Sequence, residues 1–188
     1  DLGAEDIPDL LLHQSKHLHV ASYFLQTKLR PGLQALFRKV REFGLSTSLD
    51  TNYDPSEEWA GLDKLLPATD VFLPNEKEAV SISGELNVEM AAKKLAANVE
   101  VLAVKMGKVG AIGVNGKQIL KVPSISVNVI DTVGAGDSFD AGFVFGYLNK
   151  WRLEKTLKFA CVCGGLSTQK AGGTEGQPGF DEVMKHVS

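Results

Sequence analysis

Four residues, Gly134, Ala135, Gly136 and Asp137, stand where an apolar alternating stretch, VNVI, passes through DTVGAGD into the apolar run SFDAGFVFGYL. Small residues at a strand-to-helix junction leave backbone N–H groups bare, and the first turn of the helix adds unpaired N–H donors and the positive end of its dipole. Such a place stabilises an anion, phosphate above all. Asp137 runs against that reading, because a carboxylate repels an arriving phosphate. It makes sense where a hydroxyl must lose a proton as it attacks a phosphoryl group, a reaction that otherwise needs only positioning and charge neutralisation. Taken alone, the loop leaves two other readings open. Asp137 could simply cap the helix. A dinucleotide could be bound, although GAGDSF lacks the third glycine of G-x-G-x-x-G and no strand ends near Glu154 to present an acidic partner.

The elements that must position these residues alternate along the chain. Strands are predicted at residues 17–24, at LSTSLD ending on Asp50, at VFL over 71–73 and at VEVLAV up to Val104. Asn115-Gly116 marks a hairpin turn, and the SISVNVI alternation that follows reads as an incoming strand. Helices are predicted after Pro31, around residues 57–65, over 76–82 and 88–97, and from starts near Gly136, Arg152 and Phe180. Repeated strand-helix units with apolar strands imply an α/β fold, a largely parallel sheet covered on both faces, in which ligands sit beyond the carboxyl ends of the strands. At 188 residues, 44% of them hydrophobic, the whole chain, 1–188, reads as a single α/β domain.

Composition excludes several classes. A net charge of −3 argues against a broad nucleic-acid surface. No apolar run approaches the roughly 18 residues of a membrane span, and no stretch reads as a secretion signal, so no membrane association and a cytoplasmic location are expected. In the basic run over residues 28–43, Leu33, Leu36, Phe37 and Val40 share one helical face, which leaves the Arg and Lys side chains as a solvated face. Cys161 and Cys163 are two apart in a predicted helix and read as small core residues. His13, His17, His19 and His186 form no metal-ligand pattern.

DTVGAGDSFDAGF resembles the C-terminal signature of the PfkB or ribokinase-like carbohydrate and nucleoside kinases. SLDTNYDPSEEW, PNEKEA and AVKMGKVGAIGV resemble further motifs of that family in the same order, so the resemblance covers nearly the whole chain. It implies a ribokinase-like three-layer αβα fold and an ATP-dependent kinase acting on a hydroxyl of a sugar, a nucleoside or a related alcohol. Asp137 would then be the general base, and Gly134, Ala135 and Gly136, with the Asp137 amide, the anion hole. Asn75 and Glu78 would hold Mg²⁺, often through water. Lys105, Gly107, Gly110 and Gly164 would line the nucleotide, with Gly164 and Gly165 letting adenine lie against the backbone. Asp131 and the Val133 carbonyl resemble part of a K⁺ site that carbonyls from residues 168–173 would complete.

The departures carry as much as the matches. Cys161 stands where many relatives have Asn, and Asp54 where some sugar-acid kinases have Arg. LGAEDI near the start resembles the sequence that follows the lid in the longer family members. The resemblance therefore implies the C-terminal, nucleotide-binding portion of such a kinase, without the N-terminal part and lid that hold the acceptor. A truncated, catalytically inactive nucleotide-binding module is the alternative. An exposed sheet edge, and a homodimer through it, are expected in either case.

Overall fold

A computed structural model describes residues 2–187. Two compact units divide it, Asp1–Leu102 and Ala103–Ser188. Six strands follow one another in chain order within one sheet, β1 to β6, and the boundary between the units falls inside β4.

In the first unit β1 (His17–Val20), β2 (Ser46–Leu49) and β3 (Val71–Phe72) run parallel, with His17 level with Ser46 and Ser48 with Val71. The start of β4 (Val101–Lys105) continues the parallel set beside β3. Helix α1 (Asp9–His13) precedes β1, α2 (Arg30–Glu42) links β1 to β2, and α3 (Glu76–Ser83) and α4 (Val88–Ala96) lie between β3 and β4. Pro31 opens α2, as its fixed φ and missing N–H favour. Leu33, Leu36, Phe37 and Val40 are all buried. The basic side chains of α2 are exposed but not merely solvated: Lys28, just before the helix, pairs with Asp6 at 3.0 Å, Lys39 with Asp9, and Arg41 with Asp70 at 3.2 Å.

The helix expected around residues 57–65 does not form. Glu57 and Trp59 adopt φ of +57° and +53°, which an α-helix does not allow. Asp54 sets this geometry. Its buried carboxylate accepts from the Ser56 N–H at 2.9 Å, the Ser56 hydroxyl at 2.8 Å and the Trp59 N–H at 2.7 Å. Burial opposes its charge, but these bonds and Arg30 outweigh that and hold its carboxyl below the ordinary range. Helical structure resumes only as a short 3₁₀ turn, Leu66–Ala68, around Pro67.

In the second unit β5 (Ala111–Asn115) and β6 (Gln118–Val122) form the hairpin, Asn115 opposite Gln118. The turn is centred on Gly116 and Lys117, one residue beyond the predicted Asn-Gly pair, with Gly116 at φ +57°. Helices α5 (Ala135–Leu148), α6 (Leu153–Ser167) and α7 (Phe180–Met184) follow. No strand forms over residues 123–130. The alternation there is nonetheless used, because Ile125 and Val127 pack against Phe159, Val162 and Leu166 of α6. A helix, not a neighbouring strand, buries the apolar face. Small residues seat α5 on α6: a Cβ on Gly142 would lie 2.8 Å from Cys163 Sγ, and one on Gly146 would lie 2.9 Å from Thr156. Cys161 and Cys163 are buried, unbridged core residues, and burial pushes both thiols up to about 12. Among the described residues no helix is long and apolar enough to cross a membrane.

Candidate functional site

The loop before α5 is tied down at its root. The Ile130 and Asp131 N–H groups donate to the Thr168 carbonyl at 2.8 and 3.1 Å. The Asp131 carboxylate accepts from the amides of Gly172 and Val133, both at 3.0 Å, and those amides, Gly172 first, hold its pKa below the ordinary range. Gly134 then turns the chain at φ +74°, where a Cβ would come 2.6 Å from the Gly173 carbonyl oxygen. Only glycine satisfies both the dihedral and the approach.

Helix α5 begins at Ala135, so Gly134 is its N-cap and Asp137 its third residue. Asp137 is therefore not the N-cap, and it lies exposed in the first turn. The Ala135 amide donates back to Thr132 at 3.2 Å, so it turns into the loop and is not a bare donor as the sequence suggested. The Gly136 and Asp137 amides sit in the first turn, where no carbonyl four residues earlier belongs to the helix. An anion arriving here meets two amides, the dipole end and one exposed carboxylate.

A cavity of about 590 Å³ opens against this turn. Lys105, Gly107, Gly110 and Gly164 all line it, as do Ala135 and Gly136. Gly107, at φ +55°, has open space where a side chain would stand. The other glycines serve packing as well as the cavity. A Cβ on Gly110 would fall 1.9 Å from the Val122 carbonyl oxygen, one on Gly164 3.0 Å from that of Ala135, and one on Gly165 2.7 Å from Ile125. Small size in GG of α6 thus lets that helix approach α5 and the 123–130 segment, and the cavity inherits the bare backbone.

Several lining residues escaped the sequence reading. Ser124, Ile125, Ser126 and Val127 form one wall, Phe139 and Thr168 another, with Cys161 where the family often carries Asn. The signal for the first wall was present, since the alternation marked one face as buried, but it was assigned to a strand. Asp140 was missed altogether. It is 2% exposed, and both of its carboxylate oxygens lie 3.0 Å from Lys105 Nζ. Lys105 is accordingly neither a surface lysine nor a cation awaiting phosphate alone. The spacing of Asp140 from Asp137, one helical turn, is the clue the sequence offers.

Asn75 and Glu78 belong to the first unit. They form a capping box at the start of α3: Asn75 Oδ1 accepts from the Glu78 amide at 2.9 Å, and Glu78 Oε2 accepts from the Asn75 amide at 3.0 Å. The cap is not solvated. Glu78 is 4% exposed and also accepts from the Thr51 hydroxyl at 3.1 Å.

The pattern of the pfkB family carbohydrate kinases matches residues 3–179. The chain belongs to the pfkB family. An uncharacterized sugar kinase of Archaeoglobus fulgidus is 32% identical over 162 residues, which are 86% of this chain and 64% of the relative. Among solved pfkB-like structures, an E. coli protein provisionally called Ribokinase II, in complex with ATP and Mg²⁺, superposes with a TM-score of 0.87 at 24% identity, covering 99% of this chain and 63% of that one. A fructokinase double mutant from Vibrio cholerae, bound to fructose, ADP and potassium ion, gives 0.84 at 24%, covering 100% and 64%. These likenesses show the three-layer α/β fold with its mostly parallel sheet. The chain spans less than two thirds of the length of the proteins it matches.

Proposed function

We propose that this chain is the nucleotide-binding portion of an ATP-dependent phosphotransferase whose acceptor is a hydroxyl of a sugar, a nucleoside or a related alcohol. The observation that carries this is the cavity of about 590 Å³ lined by Ala135 and Gly136 of the first turn of α5, the turn that also carries the Asp137 amide and its exposed carboxylate. Nucleotide in the cavity, lined by Gly107 and by α6 at Gly164, would present its phosphates to that turn. The Gly136 and Asp137 amides and the dipole end of α5 would neutralise charge on the transferred group, and Asp137 would take the proton of the attacking hydroxyl. The pfkB family membership agrees with this chemistry. We read the two compact units together as one α/β domain, cytoplasmic, with no nucleic-acid or membrane role.

The residues fit the ions the family implies. Glu78 keeps a carboxylate at the start of α3 with Asn75 beside it; its Oε2 accepts from the Asn75 amide and the Thr51 hydroxyl and its Oε1 from the Asn75 side chain, which suits contact with Mg²⁺ through water more than direct ligation. Bound Mg²⁺ would supply charge neutralisation at the phosphates. Asp131, bound to the Gly172 amide, faces the segment whose carbonyls would complete a K⁺ site with that of Val133. The Thr168 carbonyl already accepts two amides, so the remaining oxygens would come from residues 169–173.

A second reading is a nucleotide-binding module without catalysis, which the same cavity and helix turn would serve. Calorimetry with ATP–Mg²⁺, followed by a kinase assay over a panel of sugars and nucleosides, tests both. A folded chain that binds no nucleotide would overturn the first reading and the second together.

A further inference from the structure

Two carboxylates stand one turn apart on α5 and have opposite surroundings. Asp137 is exposed, while the Asp140 side chain is 3% exposed and its partner Lys105 only 12%. A buried carboxylate of this kind is tolerated because it is paired, and the pairing is bidentate, Lys105 Nζ lying 3.0 Å from each oxygen. Lys105 is the last residue of β4 and lines the cavity. Its Nζ lies 3.7 Å from where a Cβ on Gly136 would stand, so the ammonium sits beside the first turn of α5.

We infer that Asp140 is a positioning residue, which holds the Lys105 ammonium against the first turn of α5 so that cation and amides act on the same phosphate of a bound nucleotide. This rests on the nucleotide reading of the cavity. A lysine carries its charge on a four-carbon stem of high rotamer freedom, and fixing the ammonium beforehand removes that ordering cost from the binding step. Each charge is held at contact distance from its partner, so the effect on a nucleotide is short-range and orienting, not long-range attraction. The same helix therefore divides its acids by burial: Asp137 is left for the acceptor, Asp140 for the lysine.

The test is calorimetry on the full chain with two probes, ADP without Mg²⁺ and adenosine, which differ in the phosphates alone. Asp140→Asn and Lys105→Met should each weaken ADP about ten-fold or more, the size of a lost charge-assisted hydrogen bond, with adenosine held within about two-fold. The double variant should bind ADP no more weakly than either single one. Asp140→Asn removes the bidentate partner of a buried ammonium; if it does not fold, Lys105→Met/Asp140→Asn, which removes both charges together, carries the same comparison. Unchanged ADP affinity in the folded double variant, or equal loss for ADP and adenosine, overturns the inference and leaves the nucleotide reading standing. A wild-type chain that binds neither probe overturns that reading, and the inference with it.

Discussion

Asp137 is an exposed carboxylate in the first turn of a helix. Its importance under the proposed mechanism comes from what it faces. Asp137→Asn, in a form of the protein that turns over, should cut the rate by about 10²-fold or more, the usual contribution of a general base, with little change in nucleotide affinity. Steady-state kinetics alongside calorimetry measure both quantities. Undiminished turnover would leave Asp137 only its favourable charge at the helix start. Gly134 makes a contrasting residue-scale case, since its φ of +74° and its approach to Gly173 are demands of backbone geometry and not of chemistry.

At the scale of elements, the seam between α5 and α6 depends on absent side chains. Gly142→Ala would raise helix propensity by up to about 1 kcal/mol. The added methyl would meet Cys163 Sγ at 2.8 Å and the Ala160 Cα at 3.1 Å, and backbone cannot swing aside as a flexible side chain can. Overpacking of about 1–3 kcal/mol should win, lowering stability in urea unfolding. A different balance governs β1 and β2. His17 bonds to Ser46 and Ser48, each at 2.7 Å, and His19 to Ser48 at 2.7 Å. Burial first, and the neighbouring His19 second, press the His17 pKa down to about 4 from the ordinary 6.5. Between those two values the unfolded chain binds a proton that the folded one refuses. Stability is therefore full above about pH 6.5 and falls as the pH drops towards 4. His17→Gln should flatten the dependence of unfolding free energy on pH in that window; an unaltered slope would show that other groups set it.

At the scale of the whole molecule, a base needs a hydroxyl held within about 3 Å. The proposed site assigns no group that holds an acceptor, so this chain by itself should bind ATP weakly and phosphorylate no sugar. Coupled measurement of ADP release, with mass spectrometry of the sugars, decides it, and stoichiometric sugar phosphate from the 188-residue chain alone would refute it. Among the described residues β1 is the edge strand of the sheet, and Leu10 and Leu11, just before it in the chain, are 70% and 57% exposed. An open edge and uncovered leucines favour self-association, so sedimentation should show a dimer that dissociates on dilution.

How far the sequence reached follows the range of the forces involved. DTVGAGD, the Pro31 start of α2 and the apolar face of Leu33, Leu36, Phe37 and Val40 are decided within a few residues, by turn sterics and a 3.6-residue period, and they stand where the sequence placed them. The cavity residues Lys105, Gly107, Gly110 and Gly164 were legible too, through a family pattern that preserves their order. Tertiary structure decided the rest. Alternation over residues 123–130 showed that one face is buried but could not show that α6 buries it, because a helix and a strand hide apolar side chains equally well. The segment at 57–65 has helix-forming residues, yet the carboxylate of Asp54 draws the chain into positive φ. Asp140 and Lys105 stand 35 residues apart, and no local rule joins them. Only the packing of α5 beside the end of β4 closes that pair, because a buried charge must find its counterion wherever the fold happens to bring one.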